Sequence, residues 1–297
     1  MEIVKLDQTN EKAWDKFCFE SEYHWFWSTV AWITYQIHST FGVEYTNHSF
    51  FIGNDIVPLI QVDDELVSPG FEDKKEIIQA IKQIALENGI KRISTNGHVR
   101  GYLDCSKYTC ILDLDNIKPT KGHRSAIAKA EKRLNCTPSF NTNKFRNDYY
   151  RIAGKKTRPE ITFDLMYKWI ELGMGTLLEA RLWRETVGFA YILHWKDRAY
   201  YFASCVEPEH RDCNVTHYML WRAFEILRDK GIKYIELGEQ VYDTLHCQPT
   251  DKEKNISKFK KGFGGQIVLA PASEFYFDRE YFEQVYSERI KKYKERL

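Results

Sequence analysis

The stretch from Val187 to Gly238, VGFAYILHWKDRAYYFASCVEPEHRDCNVTHYMLWRAFEILRDKGIKYIELG, restricts the fold more than any other part of the chain. Val187–Trp195 is a hydrophobic run, and the polar Lys196-Asp197-Arg198 turns it into a second, aromatic-rich run, Ala199–Cys205. The pair reads as a hairpin of two strands. The polar segment Glu207–Asn214 leads into a helix. Leu220, Phe224 and Leu227 recur there at spacings of four and three, with Tyr218 and Trp221 beside them, and make one apolar face. Gly231 stands where a helix stops in a left-handed residue. Ile232–Leu237 then alternates around Tyr234 and Ile235 as a buried strand, and Gly238 closes it. The order is strand, strand, loop, helix, strand.

The loop before that helix is a candidate site. A helix N-terminus exposes unpaired N–H groups and the positive end of the helix dipole, so it is a natural seat for phosphate. Val206-Glu207-Pro208-Glu209-His210-Arg211 approaches it with one fixed cation. Taken alone, the segment also reads as an ordinary strand-to-helix loop capped by Asn214 or Thr216.

The remainder of the chain carries a second set of elements. Its 297 residues with 43% hydrophobic content suffice for two modest cores. A net charge of +1 supplies no bulk field toward DNA or acidic membranes. No apolar run approaches the ~20 residues of a membrane span, and the start lacks the plan of a signal peptide. Seven cysteines without paired spacing read as reduced thiols of a cytoplasmic protein. The spacing predicts two helices over residues 10–40, a hairpin about Gly53-Asn54-Asp55, a helix over Asp73–Asn88 and strands at Lys91–Thr95 and Thr109–Leu114. Lys121–Leu134 reads as a helix with a basic face. Lys144, Arg146, Arg151, Lys155, Lys156 and Arg158 follow it, as a solvated face or as a phosphate cradle. Phe163–Leu172 reads as a helix and Leu177–Leu182 as a strand. Ile256–Gly265 reads as a turn presenting lysines, Gln266–Leu269 as a strand and Asp278–Leu297 as a helix.

Four segments together resemble a known family. Val206-x-Pro208-x-x-Arg211 is similar to the pyrophosphate loop V-x-P-x-x-R-x-x-G-x-G/A of the GNAT acyltransferase superfamily, with Asn214 and Thr216 in place of the two glycines. Arg124-x-x-Ile127-x-Lys129-Ala130 resembles the R-x-x-I-R-K-A signature of its FemAB-like family. Gly231-x-x-Tyr234-x-Glu236-Leu237-Gly238 and Phe259-Lys260-x-Gly262-Phe263-Gly264-Gly265 resemble two further signatures, the latter a terminal F-K-x-x-F-G-G. Family spacing extends over about residues 105 to 270.

The resemblance implies an α/β (α+β) fold of two tandem GNAT-like domains, each a mixed, mostly antiparallel sheet flanked by helices. The expected divisions are residues 1–118, residues 119–275, and a C-terminal helix over 276–297 that packs back on the first domain. It implies an acyltransferase that moves an acyl group from an acyl-CoA, bound as co-substrate and not as a permanent cofactor, to an amine on a small-molecule, lipid-linked or nucleotide-linked envelope or polysaccharide precursor. Two alternatives stay open: a tRNA-dependent aminoacyltransferase, and a degenerate fold that only binds a ligand.

Acyl transfer to an amine needs a proton acceptor, N–H groups facing the carbonyl oxygen, and reactants held in register. Glu236 and Glu239 are the candidate bases, and Tyr242 or Tyr218 is the candidate acid for the leaving group. Val206, Arg211, Asn214, Thr216 and His217 are the donor-binding set, and Arg124, Lys258 and Lys261 the phosphate-binding set. His210, Cys213 and His217 lack the framing of a metal site. A G-x-S-x-G elbow, a Walker loop and a dinucleotide fingerprint are all missing from the sequence.

Overall fold

A computed structural model describes residues 2–295. In chain order the elements begin with β1 (Ile3–Lys5), α1 (Glu11–Glu20), α2 (Val30–Ile37), β2 (Tyr45–Asn47), β3 (Phe50–Ile52), β4 (Asp55–Val57), β5 (Ile60–Val62), β6 (Glu65–Ser68), α3 (Lys75–Glu87), β7 (Arg92–Asn96) and β8 (Leu103–Asp104). There follow β9 (Lys107–Asp113), α4 (Lys121–Glu131), β10 (Leu134–Ser139), α5 (Thr142–Ala153), α6 (Ile161–Glu171), β11 (Gly175–Leu182), β12 (Glu185–Trp195) and β13 (Arg198–Val206). The last are α7 (Val215–Asp229), β14 (Tyr234–Gln240), α8 (Asp251–Lys261), β15 (Gln266–Ala270), β16 (Ala272–Tyr276) and α9 (Arg279–Lys294). Residues 296–297 of the expected C-terminal helix lie outside the described residues.

The chain forms two compact units. One comprises Met1–Tyr108, Val241–Lys254 and Leu269–Leu297, and the other Thr109–Gln240 and Asn255–Val268. The divisions expected at 118 and 275 therefore fall elsewhere. β9 takes its place between β14 and β15 in the second unit's sheet because Cys110, Leu112 and Leu114 are buried in that unit's core. β16 returns to the first unit, where it pairs antiparallel with β7 and β8.

The first unit has a three-stranded sheet, β1-β3-β4, and a six-stranded sheet, β2-β5-β6-β7-β16-β8. Ile77, Ala80, Ile81 and Ala85 form the buried stripe of α3, and they share a core with Leu66 and Ile93 of the parallel pair β6–β7. Glu274 of β16 is 2% exposed. Arg289 of α9 donates to both of its carboxylate oxygens, at 2.6 and 3.0 Å, and the Tyr286 hydroxyl donates at 2.9 Å. Burial by itself would raise the Glu274 pKa, but these donors hold it below the ordinary carboxylate value. The network ties α9 to the sheet.

In the second unit seven strands run in the order β10-β11-β12-β13-β14-β9-β15. The hydrophobic run of β12 has no polar alternation because both faces of the sheet are covered. Ala190 and Ile192 belong to the core built with Val215, Met219, Leu220 and Phe224 of α7. On the alternate positions, the Phe189 ring lies 5.6 Å from that of Phe145 on α5, and the Tyr191 hydroxyl donates to the Met166 carbonyl of α6 at 2.8 Å. The sequence reading carried α4 to Leu134, but the helix ends at Glu131 and Leu134 opens β10. Pro138 hides that strand in the sequence, and its position at the end of the sheet is where proline is tolerated.

Replacing Glu274 by Gln should leave Arg289 without its anion and cost about 3 kcal/mol, read from chemical denaturation. The wild-type pair's contribution is present above the unfolded carboxylate pKa. It should be lost as pH falls through the depressed folded value, so the difference between E274Q and wild type should shrink in acid.

Candidate functional site

β13 and β14 start as neighbours and then part. Their parallel ladder pairs Arg198 with Tyr234, Ala199 with Ile235 and Tyr200 with Glu236. Beyond it, β13 runs on to Val206 and β14 to Gln240. Between Tyr191 and Ile192 the partners on β13 jump from Ala203 to Tyr201, so Phe202 is the extra residue of a bulge. A bulge bends its strand and adds twist.

Glu236 sits at the last pair of that ladder and is half-buried. Burial pushes its carboxyl above the usual range, opposed by a 2.6 Å hydrogen bond from the Thr109 hydroxyl and by the charges of Lys260 and Arg198. Lys260 is the residue that the sequence reading passed over. Burial lowers its ammonium below the ordinary lysine value. A Cβ at Gly238 would stand 3.1 Å from both Lys260 Nζ and the Tyr200 hydroxyl, so the bare glycine lets the two converge. The Tyr200 phenol is itself pushed up to about 12 by burial and by the nearby Glu236 and Glu239 charges.

Lys258, Lys260 and Lys261 lie in the last turns of α8, not on the turn expected from the sequence. The three glycines at 262, 264 and 265 had suggested a loop, but they serve close packing. A Cβ at Gly262 would land on the His123 ring, and one at Gly264 on the Lys118 carbonyl. Lys258 and Lys261 point to solvent. Arg124 is exposed and donates to the Pro119 carbonyl at 2.6 Å. Glu239 is exposed, and its backbone carbonyl accepts from Lys260 Nζ at 3.5 Å. Tyr242 belongs to the first unit, 46% exposed, with its ring edge-on to Tyr108 at 5.3 Å.

The loop expected to hold the donor takes a defined shape. Val206 ends β13, Pro208–Cys213 forms a short 3₁₀ segment carrying the exposed Arg211, and α7 begins at Val215. Asn214 joins the two in the left-handed conformation, φ 58° and ψ 33°, and its side chain makes no capping bond. It thus fulfils the backbone requirement of the glycine it replaces, because asparagine enters this region more readily than other side chains do. Thr216 lies in the first turn of α7. At Gly188 a Cβ would stand 2.9 Å from the Cys205 carbonyl and 3.2 Å from Val215 Cγ1, so the glycine lets the helix start press against β12.

His217 turns into an aromatic cluster with His123, at 4.7 Å, and Phe259, at 4.9 Å. Burial, with a smaller push from His123, lowers its pKa to about 4, so it is neutral at pH 7. The basic run expected to cradle phosphates is largely neutralised within the unit. Lys144 pairs with Asp148 at 3.1 Å, Arg146 with Glu160 at 3.5 Å and Lys156 with Glu160 at 2.7 Å. Arg151 holds Glu207 and Asp148. A cavity of about 480 Å³ lined by Ile111, Asn116, Lys118, Tyr234 and Gln266 lies by the start of β14, before the point where the strands part.

Residues 153–244 match the family model described as an acetyltransferase (GNAT) domain. No curated protein matches the chain. Among solved structures, FemX superposes with a TM-score of 0.68 at 13% identity, over 96% of this chain and 100% of that one. L-PGS from Bacillus licheniformis gives 0.64 at 12%, over 96% and 97%. The tandem GNAT protein from the clavulanic acid biosynthesis pathway gives 0.52 at 10%, over 93% and 98%. Residues 153–244 are thus an acetyltransferase-type (GNAT) domain by their sequence, and the fold of the whole chain is similar to that of FemX. Its architecture, two tandem GNAT-like units, is FemAB-like.

If Asn214 stands in for a left-handed glycine, Asn214→Gly should keep stability within about 0.5 kcal/mol of wild type, whereas Asn214→Ala should lose about 1 kcal/mol. Thermal melts of the two variants check this, and equal losses would refute it.

Proposed function

We propose that the protein transfers an acyl group from an acyl-CoA to an amine of a cell-envelope or polysaccharide precursor. The observation that carries this reading is the half-buried Glu236, its pKa raised, at the last pair before β13 and β14 part. An ammonium acceptor must lose a proton before it can attack. A carboxylate whose pKa is raised toward the working pH is better matched to take that proton than an exposed one. The thioester carbonyl lies, in this reading, against β13 beyond Tyr200, where backbone N–H groups face the oxygen as it gains charge. The ammonium gives one proton to Glu236, the freed amine nitrogen bonds to the carbonyl carbon, and the carbon–sulfur bond breaks; the second nitrogen proton ends on the leaving sulfur, which departs as a thiol.

Lys260 supplies a positive group beside the reacting centre. Glu239 is the second carboxylate in reach of solvent-borne protons. The donor pyrophosphate is assigned to the start of α7, with Val206, Arg211, Asn214 and Thr216 around it. The left-handed Asn214 supports this, because it preserves the loop shape that the missing glycine would otherwise provide. His217, neutral and packed, shapes the floor of that site more than it binds charge. Arg124, Lys258 and Lys261 are the exposed cations for phosphates of donor or acceptor.

A thermal-shift titration with acetyl-CoA, longer acyl-CoAs and aminoacyl-tRNA tests the donor, since a ligand of the folded state raises the melting point by mass action. Stabilisation by tRNA alone would replace the donor assignment, and no response to any of them would favour a ligand-binding fold without catalysis. With CoA release as the assay and amino-sugars and lysyl peptides as acceptors, Glu236→Gln should lower kcat roughly 10²- to 10⁴-fold. The acidic limb of kcat/KM should lie above the range of an ordinary glutamate. Thr109→Val removes a hydrogen bond that favours the ionised carboxylate, so the limb should move to still higher pH. An unshifted limb in T109V would remove Glu236 as the base.

A further inference from the structure

The turn between β11 and β12 consists of Trp183 and Arg184, since Leu182 pairs with Glu185. The favoured two-residue hairpin turns need positive φ at their first residue, which is why glycine, asparagine and aspartate are common there. Gly53, at φ 59°, and Asp63, at φ 52°, follow that preference in two other hairpins of this chain. Trp183 occupies the same position at φ 56°. For a bulky side chain that conformation is an outlier. Its side chain is also 92% exposed. Lys196, at φ 54°, departs from the preference too, but its ammonium lies over the Trp195 ring at 4.8 Å. Neither packing nor backbone preference accounts for an indole at position 183. An outlier of this kind is a reason to look for function.

The turn stands beside the donor loop. Glu185 Oε2 lies 3.7 Å from His210 Nε2, the Glu207 N–H donates to the Val187 carbonyl at 3.0 Å, and Gly188 pairs with Val206. Trp183 is therefore at the end of the sheet from which α7 starts. Arg184 and Arg211 are both exposed, and among the described residues neither has a carboxylate within ion-pair distance. Its charged sequence neighbours Arg181, Arg184 and Glu185 are exposed as well, so the turn does not present a run of apolar side chains.

We propose that Trp183 is a stacking platform for the adenine base at the nucleotide end of the donor, with Arg184 and Arg211 toward its phosphates. An exposed aromatic face binds a base through stacking, and unpaired arginines suit phosphate oxygens. This inference rests on the donor site assigned above. Adenine occurs both in coenzyme A and at the 3′ end of an aminoacyl-tRNA, so the experiment carries both arms.

Trp183→Gly and Trp183→Phe are compared with wild type by isothermal titration of acetyl-CoA, S-acetylphosphopantetheine, which lacks the adenosine, and an aminoacylated acceptor-stem RNA. W183G should melt at or above wild type, because glycine relieves the backbone. Its Kd for the adenine-bearing donor should rise about tenfold, with affinity for S-acetylphosphopantetheine unchanged and W183F close to wild type. Whichever arm shows the loss identifies the source of the adenine. If wild type binds an adenine donor and W183G binds it as tightly, or if W183G weakens the adenosine-free fragment equally, the stacking proposal falls and the donor site stands. If wild type binds neither donor, the donor assignment falls and takes this proposal with it. Loss of binding to anionic phospholipid vesicles in W183G, with donor affinity intact, would make the indole an interfacial anchor instead.

Discussion

The ladder between β13 and β14 stops at Tyr200 and Glu236 although both strands continue. A parallel pair would ordinarily keep satisfying its N–H and C=O groups along its whole length, since those groups are obligatory partners. Two features favour an early end. The bulge at Phe202 adds twist to β13 from the β12 side. Gly188 lets Val215 press onto β12, so α7 leaves the sheet immediately after the loop that follows β13. The same divergence puts Glu236 at the edge of paired backbone, where a carboxylate is partly dried but still reachable. A continuous ladder would have left it as one more strand residue.

Charge is handled in two ways in this protein. Where it is structural it is paired: Glu274 with Arg289, Arg151 with Glu207, and Lys144 with Asp148. Around the divergence it is not fully compensated. Glu236 has one hydroxyl donor, and burial dominates its shift upward, while burial dominates the shift of Lys260 downward. Both groups are pushed toward their neutral forms, as low dielectric requires when no close partner answers it. Titratable pairs displaced in this way are more common at working sites than in cores. That contrast separates Lys260 from the basic run of residues 144–158, which looked more conspicuous in the sequence.

The hairpin, helix and strand from Val187 to Gly238 were legible because each declares its period. α7 repeats apolar residues at three and four, and the polar Lys196-Asp197-Arg198 marks the break between β12 and β13, with Arg198 already opening the second strand. The short β10 was not legible: an edge strand tolerates Pro138 and needs little hydrophobicity. α8 was hidden for the opposite reason. Its text is nearly all polar, and Gly262, Gly264 and Gly265 mimic a loop when their task is to admit the His123 ring, a carbonyl and a thiol. Reading Ile256–Gly265 as a turn removed the helical period that would have set Lys260 apart from Lys258 and Lys261. The swap of β9 and β16 between units was illegible because register is a property of the partner strand, and neither sequence names its partner.

The loop substitutions show that a glycine motif can bundle separable requirements. At 214 the requirement is conformational. The junction between the 3₁₀ segment and α7 needs positive φ, and asparagine meets it. At 216 the residue is already helical, so no left-handed backbone is needed and only side-chain bulk matters. Threonine adds that bulk in the first turn of α7. Asn214 therefore preserves the aim of the first-turn amides, while Thr216 changes how closely a ligand can approach them. In the proposed donor site, a pyrophosphate would meet that side chain at the helix start, so the donor would have to gain part of its affinity elsewhere along its length.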